Sequence, residues 1–284
     1  MQRIVIFGHK GQLGKDLVKL FQKAGCEVVG YDLPELDVTT PEIYKLLDDP
    51  APDLVINSSA YTNVDLAERE IDKAFLVNEV GARRIADLSN QWGAPVVYYS
   101  TDYVFDGMQR KPYREDDIPN PLSVYGRSKL AGEKAVENYN PRYYILRTAW
   151  LYGPGGNNFI EKMISRAQTA ERLEVSNDEM GSPTYTWDLA QMTMKIVETK
   201  RYGLYHATNS GECSRYQWIK ACFEHLNIST PIIPCSRTKF VLPAQRPAYS
   251  AMDNRKIMTT IGWTIPSWRE ALLHYLNRRG EDNK

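Results

Sequence analysis

Within its first fourteen residues the chain runs from an apolar, β-branched segment (4–7) straight into Gly8-His9-Lys10-Gly11-Gln12-Leu13-Gly14 and on into a helical pattern. A strand, a glycine-spaced turn and a helix in immediate succession force a tight βα unit, because glycine alone turns so sharply and lets helix and strand pack closely. The alternation then continues without the glycines. Segments 27–31, 54–57, 95–100 and 143–147 read as buried strands, separated by stretches long enough for helices. Such alternation predicts a parallel sheet covered on both faces by right-handed crossover helices.

Between the first two strands, Leu13, Leu17, Leu20 and Phe21 recur at helical spacing over 12–24, and Gly25 ends the pattern. Segment 65–92 reads as one longer helix, interrupted near Asn78. After Tyr152 comes the loop 153–158, and the later segments carry more prolines and fewer apolar runs, which predicts a smaller lobe. The expected division is residues 1–152 as a nucleotide domain and 153–284 as mainly a substrate lobe, with helices at 158–170, 186–199, 215–226 and 268–279. A strand at 204–208 is expected to return to the main sheet.

Charge narrows the partners. Lys plus Arg equals Asp plus Glu, 35 against 35, so no net field steers the chain to nucleic acid or an anionic membrane. Cys26, Cys213, Cys222 and Cys235 form no C-x-x-C pair and the four histidines are scattered, which argues against a zinc site or a disulfide framework. The start is too short of apolar residues for a signal segment, and no run of eighteen apolar residues occurs, so a cytoplasmic location is expected.

The glycine loop opens a helix whose N-terminal amides and dipole suit a pyrophosphate, as in dinucleotide sites. Read alone it is also compatible with a ligand-free turn. Asp32, eighteen residues beyond Gly14 at a strand end, adds an acceptor for ribose hydroxyls. Its charge favours NADH, while Lys10 in the loop leaves NADPH open. Asp37 and Val38 read either as neighbours of the adenine or as a turn leading into Thr39-Thr40-Pro41. The small residues of Asn57-Ser58-Ser59-Ala60 stand at the sheet edge where ligands of open parallel folds bind.

Tyr125-Gly126-Arg127-Ser128-Lys129 lies in a helical segment, 124–137, and its i, i+4 spacing puts Tyr125 and Lys129 on one face. A nearby ammonium and a nicotinium charge both stabilise phenolate, which would bring a phenol with pKa of about 10 toward a useful acid. A surface helix with an incidental Tyr and Lys is the competing reading. Thr101 closes the strand 95–100 at the same edge, either as a donor to a carbonyl oxygen or as a strand-end cap.

In this order, Gly8-x-x-Gly11-x-x-Gly14, Thr101 and Tyr125-x-x-x-Lys129 resemble the extended short-chain dehydrogenase/reductase family acting on sugar nucleotides. Longer blocks, 60–65, 100–107, 112–115, 124–133 and 147–153, are similar to its dTDP-4-dehydrorhamnose reductases. The resemblance covers essentially the whole chain. It implies a Rossmann-type doubly wound parallel sheet with a smaller C-terminal substrate-binding lobe, and reduction of dTDP-4-dehydro-L-rhamnose by NADPH or NADH to make a rhamnose donor for cell-surface polysaccharide.

Carried over residue by residue, the resemblance makes Tyr125 the proton donor to O4, Lys129 the holder of the nicotinamide ribose that also tunes Tyr125, and Thr101 the group polarising the carbonyl. It implies cofactor contacts at Gly8, Gly11, Gln12, Leu13, Gly14, Asp32, Asp37, Val38, Ala60, Tyr61, Thr62 and Asn78. Sugar contacts are implied at Asp102, Tyr103 and Trp150, with nucleotide or diphosphate contacts at Asn158, the 181–184 segment and Arg246. Tyr103 and Trp150 read equally as core aromatics, and Arg246 equally as a surface salt bridge. A homodimer is an open possibility of the resemblance. The glutamate-built Mg²⁺ site of some members has no equivalent, since Lys15-Asp16 offers one carboxylate.

Two other functions stay in view. The similar dehydratases place Asp-Glu after the Thr, and here Asp102 is followed by Tyr103, which disfavours elimination; epimerases and other reductases of the family share the remaining motifs. A non-catalytic regulatory subunit, like the accessory subunit of methionine adenosyltransferase, would not need Thr101, Tyr125 and Lys129 intact.

Overall fold

The computed structural model describes residues 2–156 and 158–279; Asn157 of the expected loop and residues 280–284 lie outside them. The first half runs β1 (Arg3–Phe7), α1 (Gln12–Lys23), β2 (Glu27–Tyr31), a 3₁₀ segment (Pro41–Asp48), β3 (Leu54–Asn57), α2 (Val64–Ala67), α3 (Ile71–Phe75), a π-helical turn (Leu76–Gly81), α4 (Ala82–Gln91), β4 (Val96–Thr101), α5 (Val124–Tyr139) and β5 (Tyr143–Thr148). The second half follows as β6 (Leu151–Tyr152), α6 (Phe159–Ala167), β7 (Leu173–Ser176), β8 (Met180–Gly181), β9 (Thr184–Tyr185), α7 (Thr186–Thr199), β10 (Gly203–His206), β11 (Cys213–Ser214), α8 (Arg215–Leu226), β12 (Ile232–Cys235), α9 (Arg255–Ile261) and α10 (Trp268–Arg278).

Six strands form one parallel sheet in the order β10-β5-β4-β3-β1-β2. Strand order reverses between β1 and β3, and at such a switch point the loops leaving the two strands part and open a crevice. The central strands β1, β3, β4 and β5 are buried on both sides and are therefore mainly apolar. Leu13, Leu17, Leu20 and Phe21 of α1 pack with Leu189, Met192 and Ile196 of α7 on one face, and Ile85 and Leu88 of α4 with Val136 of α5 on the other. Each such side chain contributes about 1.5–3 kcal/mol on full burial.

A third core cluster lies outside the sheet and has an aromatic centre: Trp150, Tyr152, Tyr185, Trp218 and Tyr275 pack between α6, α8 and α10. Strand β10 returns to the sheet beside β5, and α7 covers the sheet, so the second half serves both bodies.

The longer helix expected over 65–92 comprises α2, α3, the π turn and α4, and the π turn falls at the interruption expected near Asn78. Asn63 caps α2 by accepting from the Leu66 N–H, and the π turn inserts a wider loop of backbone that turns Asn78 inward. The β7–β12 pair and α9 had not been expected. Both strands are four residues long, and Pro234 removes one ladder donor from β12, so neither produces a strand-like run in sequence.

Candidate active site

Along the carboxyl ends of β1, β3, β4 and β5 runs a cavity of about 880 Å³, with Asp32 and Val38 toward one end and Tyr125 and Trp150 toward the other. That volume is in the range of cofactor sites. It begins where Gly8 leaves β1 with φ of +79°, a conformation a side chain resists, and where any Cβ on Gly8 would lie 2.6 Å from the Ser59 amide nitrogen.

Gly14 is equally constrained: a Cβ there would lie 2.2 Å from the Gly8 carbonyl oxygen, so helix and loop meet backbone to backbone. Gly11 is the N-cap of α1 and offers no side-chain cap, and no acidic residue occupies the first turn. The first amides of a helix have no intrahelical partner. Those of Gln12 and Leu13 line the cavity, and together with the positive end of the helix they suit a pyrophosphate. Such a cradle, shaped by Gly8 and Gly14, where any side chain would collide with backbone, fits a dinucleotide.

Asp32 stands at the end of β2, held by the Lys10 amide at 3.0 Å and the Leu33 amide at 2.9 Å. The Lys10 ammonium turns away to Glu35 at 2.6 Å, so its charge is compensated before it can offset Asp32. Asp37 accepts from the Thr39 amide and hydroxyl, and thus forms the turn into the 3₁₀ segment while also lining the cavity; Val38 lines it too, packed over Gly81. Ala60, Tyr61 and Thr62 complete this wall.

At the other end α5 carries Tyr125 and Lys129 into the cavity, and Thr101 arrives from β4. Ser123 starts α5 by accepting from the Gly126 amide, and Glu68 accepts from the Val124 amide, so the helix begins at a fixed place. The Lys129 ammonium donates to the Tyr99 carbonyl at 2.5 Å and lies 4.1 Å from the centre of the Tyr98 ring. Burial pushes it down to about 7, against the pull of Glu133.

Burial likewise pushes Tyr125 up to about 12, although the Thr101 hydroxyl favours its phenolate. Among the protein's own groups desolvation outweighs the lowering expected of Tyr125. Thr101 donates to Asp102 Oδ1 at 3.1 Å and accepts the Tyr103 amide at 3.2 Å, so it is a strand-end cap as well as a wall of the site. Asp102 is 2% exposed, and burial pushes its carboxyl up to about 6.

Three further residues of the expected site stand behind the cavity wall rather than in it. Asn78 is buried behind the wall, where its amide group grips both the N–H and C=O of Tyr61 and donates to Ser128, so it shapes the loop that faces the cavity. Tyr103 packs edge-on against Tyr125, ring centres 5.9 Å apart. Arg246 makes a two-pronged pair with Asp65 at 2.8 and 3.0 Å, the salt bridge of the competing reading. Asn158 lines the cavity but also caps α6 and holds the Gly153 carbonyl. Trp150 lines it from a left-handed backbone position, φ +46°, with the Arg215 guanidinium 3.5 Å from its ring centre.

Groups not anticipated from sequence complete the site. Glu133, one further turn along α5 from Lys129, pairs with Arg147 at 2.7 and 2.8 Å and accepts from Ser100, all buried, and so ties α5 to β4 and β5. Its spacing from Tyr125 and Lys129 is the signal that would have found it. Ser250 donates to Asp102 Oδ2 at 2.5 Å across 148 residues, and no local pattern announces that contact. Among the described residues no group of three or more His, Cys, Asp or Glu is placed to hold a metal ion, and Asp16 is buried against Thr186.

The geometry has counterparts in known proteins. The model of the RmlD substrate binding domain matches residues 1–280. The chain is 37% identical to dTDP-4-dehydrorhamnose reductase of Aggregatibacter actinomycetemcomitans, over 96% of this chain and 97% of the other. It is 39% identical to the spore coat polysaccharide biosynthesis protein SpsK of Bacillus subtilis, over 98% of both. A crystal structure of dTDP-4-dehydrorhamnose reductase from Bacillus anthracis in complex with NADP superposes with a TM-score of 0.94 at 38% identity, covering 98% of this chain and 99% of that one.

Proposed function

This chain belongs to the RmlD substrate binding domain family, and from that premise we propose that it reduces dTDP-4-dehydro-L-rhamnose to dTDP-L-rhamnose with NADPH or NADH. The observation that carries the reading is the convergence of Tyr125, Lys129 and Thr101 at one end of a cavity whose other end is a glycine-built pyrophosphate cradle.

Bound along the cleft, a dihydronicotinamide supplies a hydride to C4 of the sugar. Tyr125 gives its phenolic proton to O4 as charge develops there. Lys129, four residues on, holds the ribose hydroxyls and stabilises the phenolate that Tyr125 leaves behind. Asp102 and Trp150 line the sugar end, and Trp150, braced by Arg215, offers a flat face to the ring. The smaller lobe, built around the aromatic cluster, carries the nucleotide of the substrate. Gly8, Gly11, Gln12, Leu13 and Gly14 hold the cofactor pyrophosphate, and Asp32 its adenosine ribose.

The reading places the enzyme in the cytoplasm, where reduced nicotinamide is available; its four cysteines are free, and no helix among the described residues is long and apolar enough to cross a membrane. Homodimerisation is part of the proposal, with sedimentation of the purified protein as its check. Loss of reduced-nicotinamide absorbance on mixing with dTDP-4-dehydro-L-rhamnose, in wild type and Tyr125→Phe, tests the function. Turnover in wild type and its near loss in the variant support the reductase. Cofactor binding without turnover by wild type would favour a regulatory subunit instead.

A further inference from the structure

A hydroxyl has one proton and two lone pairs. In Thr101 one lone pair accepts the Tyr103 amide and the single proton is contested by Asp102 Oδ1 and Tyr125, so with Asp102 a carboxylate that takes the proton, what remains toward Tyr125 and the cavity is an acceptor. A substrate carbonyl needs a donor. As long as Asp102 is a carboxylate, which accepts only, Thr101 is held in the wrong sense to polarise a ketone.

Resting on the reductase reading, we propose that Asp102 is a positioning residue whose protonation reverses Thr101. As a carboxylic acid it donates Oδ1–H to Thr101 Oγ1, and Thr101 turns its own proton to the carbonyl oxygen beside Tyr125. No proton leaves either residue in this reversal. The proton that ends on O4 still comes from Tyr125.

The surroundings select the oxygen that carries the proton. Ser250 donates to Oδ2 at 2.5 Å, and is itself fixed by its amide bond to the Met180 carbonyl at 2.8 Å, which leaves Oδ1, the oxygen facing Thr101, to be protonated. Other groups facing Asp102 are few. Tyr103 follows it on the same turn, Tyr125 faces it from α5, and Lys129 is turned to the Tyr99 carbonyl. Arg215 at the start of α8 is the cation that favours its carboxylate; it is paired with Glu179 at 3.2 Å and spread over the Trp150 ring. Burial outweighs Ser250, Thr101 and Arg215, and pushes Asp102 up to about 6, so both states are reached in ordinary buffers. Substrate lying over Asp102 excludes more water and favours the acid further.

The test is the pH profile of kcat and kcat/KM for wild type, Asp102→Asn and Ser250→Ala. Wild type is expected to lose about ten-fold or more in rate as pH rises two units past the Asp102 value, with the limb in kcat lying above that in kcat/KM. In Asp102→Asn the side-chain carbonyl keeps Ser250 and the NH₂ donates permanently to Thr101, so this limb disappears. Ser250→Ala removes a donor that favours the carboxylate, and the limb moves up by roughly one pH unit. A flat wild-type profile, an unaltered limb in Asp102→Asn, or a folded, cofactor-binding Asp102→Asn inactive at every pH would overturn the proposal. Should Asp102→Asn fail to fold, an unshifted limb in Ser250→Ala would overturn it. Absence of any wild-type turnover would instead count against the reductase reading.

Discussion

The two ends of the cavity are built from different materials. At the pyrophosphate end the work is done by main chain: glycines at 8, 11 and 14, the first amides of α1, and Asp32 anchored by two backbone N–H groups. At the sugar end it is done by buried, titratable side chains, with Tyr125 pushed up to about 12, Lys129 down to about 7 and Asp102 up to about 6. The contrast teaches why the ends respond to different perturbations. A main-chain cradle is fixed by sterics and is largely indifferent to pH, whereas a cluster of desolvated acids and bases is held at a cost in stability and is tuned by small electrostatic changes.

The largest effect that should separate the ends is Tyr125→Phe. It removes the proton donor and is expected to lower kcat by roughly 10²–10⁴-fold, while the dissociation constant for NADPH, measured by fluorescence, changes little. Equal losses in both would mean that Tyr125 is part of the cofactor cradle, and the division would fail.

Lys129→Met probes the stability cost at the sugar end. Folding lowers the Lys129 pKa from 10.5 to about 7, so between those values the unfolded chain holds a proton that the folded chain releases. Stability is therefore lost as pH falls from the unfolded value through the folded one, and the cost is fully present below the folded one. Methionine removes that cost. Denaturant unfolding at pH 7 is expected to show a gain of roughly 2–4 kcal/mol, shrinking toward zero above the unfolded pKa, alongside loss of turnover. A stability loss at neutral pH would show that the bond to the Tyr99 carbonyl outweighs desolvation.

The pyrophosphate end is sharpened by paired glycine changes. Gly14→Ala sets a methyl 2.2 Å from a backbone oxygen that cannot yield, and Gly11→Ala sets one 3.2 Å from the same atom. NADPH affinity should fall by about ten-fold or more in the first, near 1.4 kcal/mol, and by a few-fold in the second. The pH dependence of kcat should be unaltered in both.

The same contrast explains what could be read from sequence. The glycine loop, Asp32, the five main strands of the first half and the Tyr125–Lys129 pair are local patterns, in which spacing along the chain equals placement in space. The i, i+4 rule brought Tyr125 and Lys129 together before any fold was known. Ser250 reaches Asp102, and Arg147 reaches Glu133, only because distant segments pack, and sequence carries no periodicity for such pairs. Arg246 shows the same limit. Its type suits a diphosphate, but its pairing with Asp65, 181 residues away, depends on a long-range approach that spacing does not encode. The break expected near Asn78 falls on the π turn, which holds its side chain inward against Tyr61 and Ser128, partners that no helical period encodes.

The measurement that bears most directly on the central claim is the fate of the reducing hydrogen. Reduced nicotinamide deuterated at C4 on the transferred face, mixed with dTDP-4-dehydro-L-rhamnose and this protein, should give dTDP-L-rhamnose with one deuterium at sugar C4, and almost none with Tyr125→Phe. Deuterium retained on the nicotinamide, with cofactor bound and the keto sugar unchanged, would contradict the account.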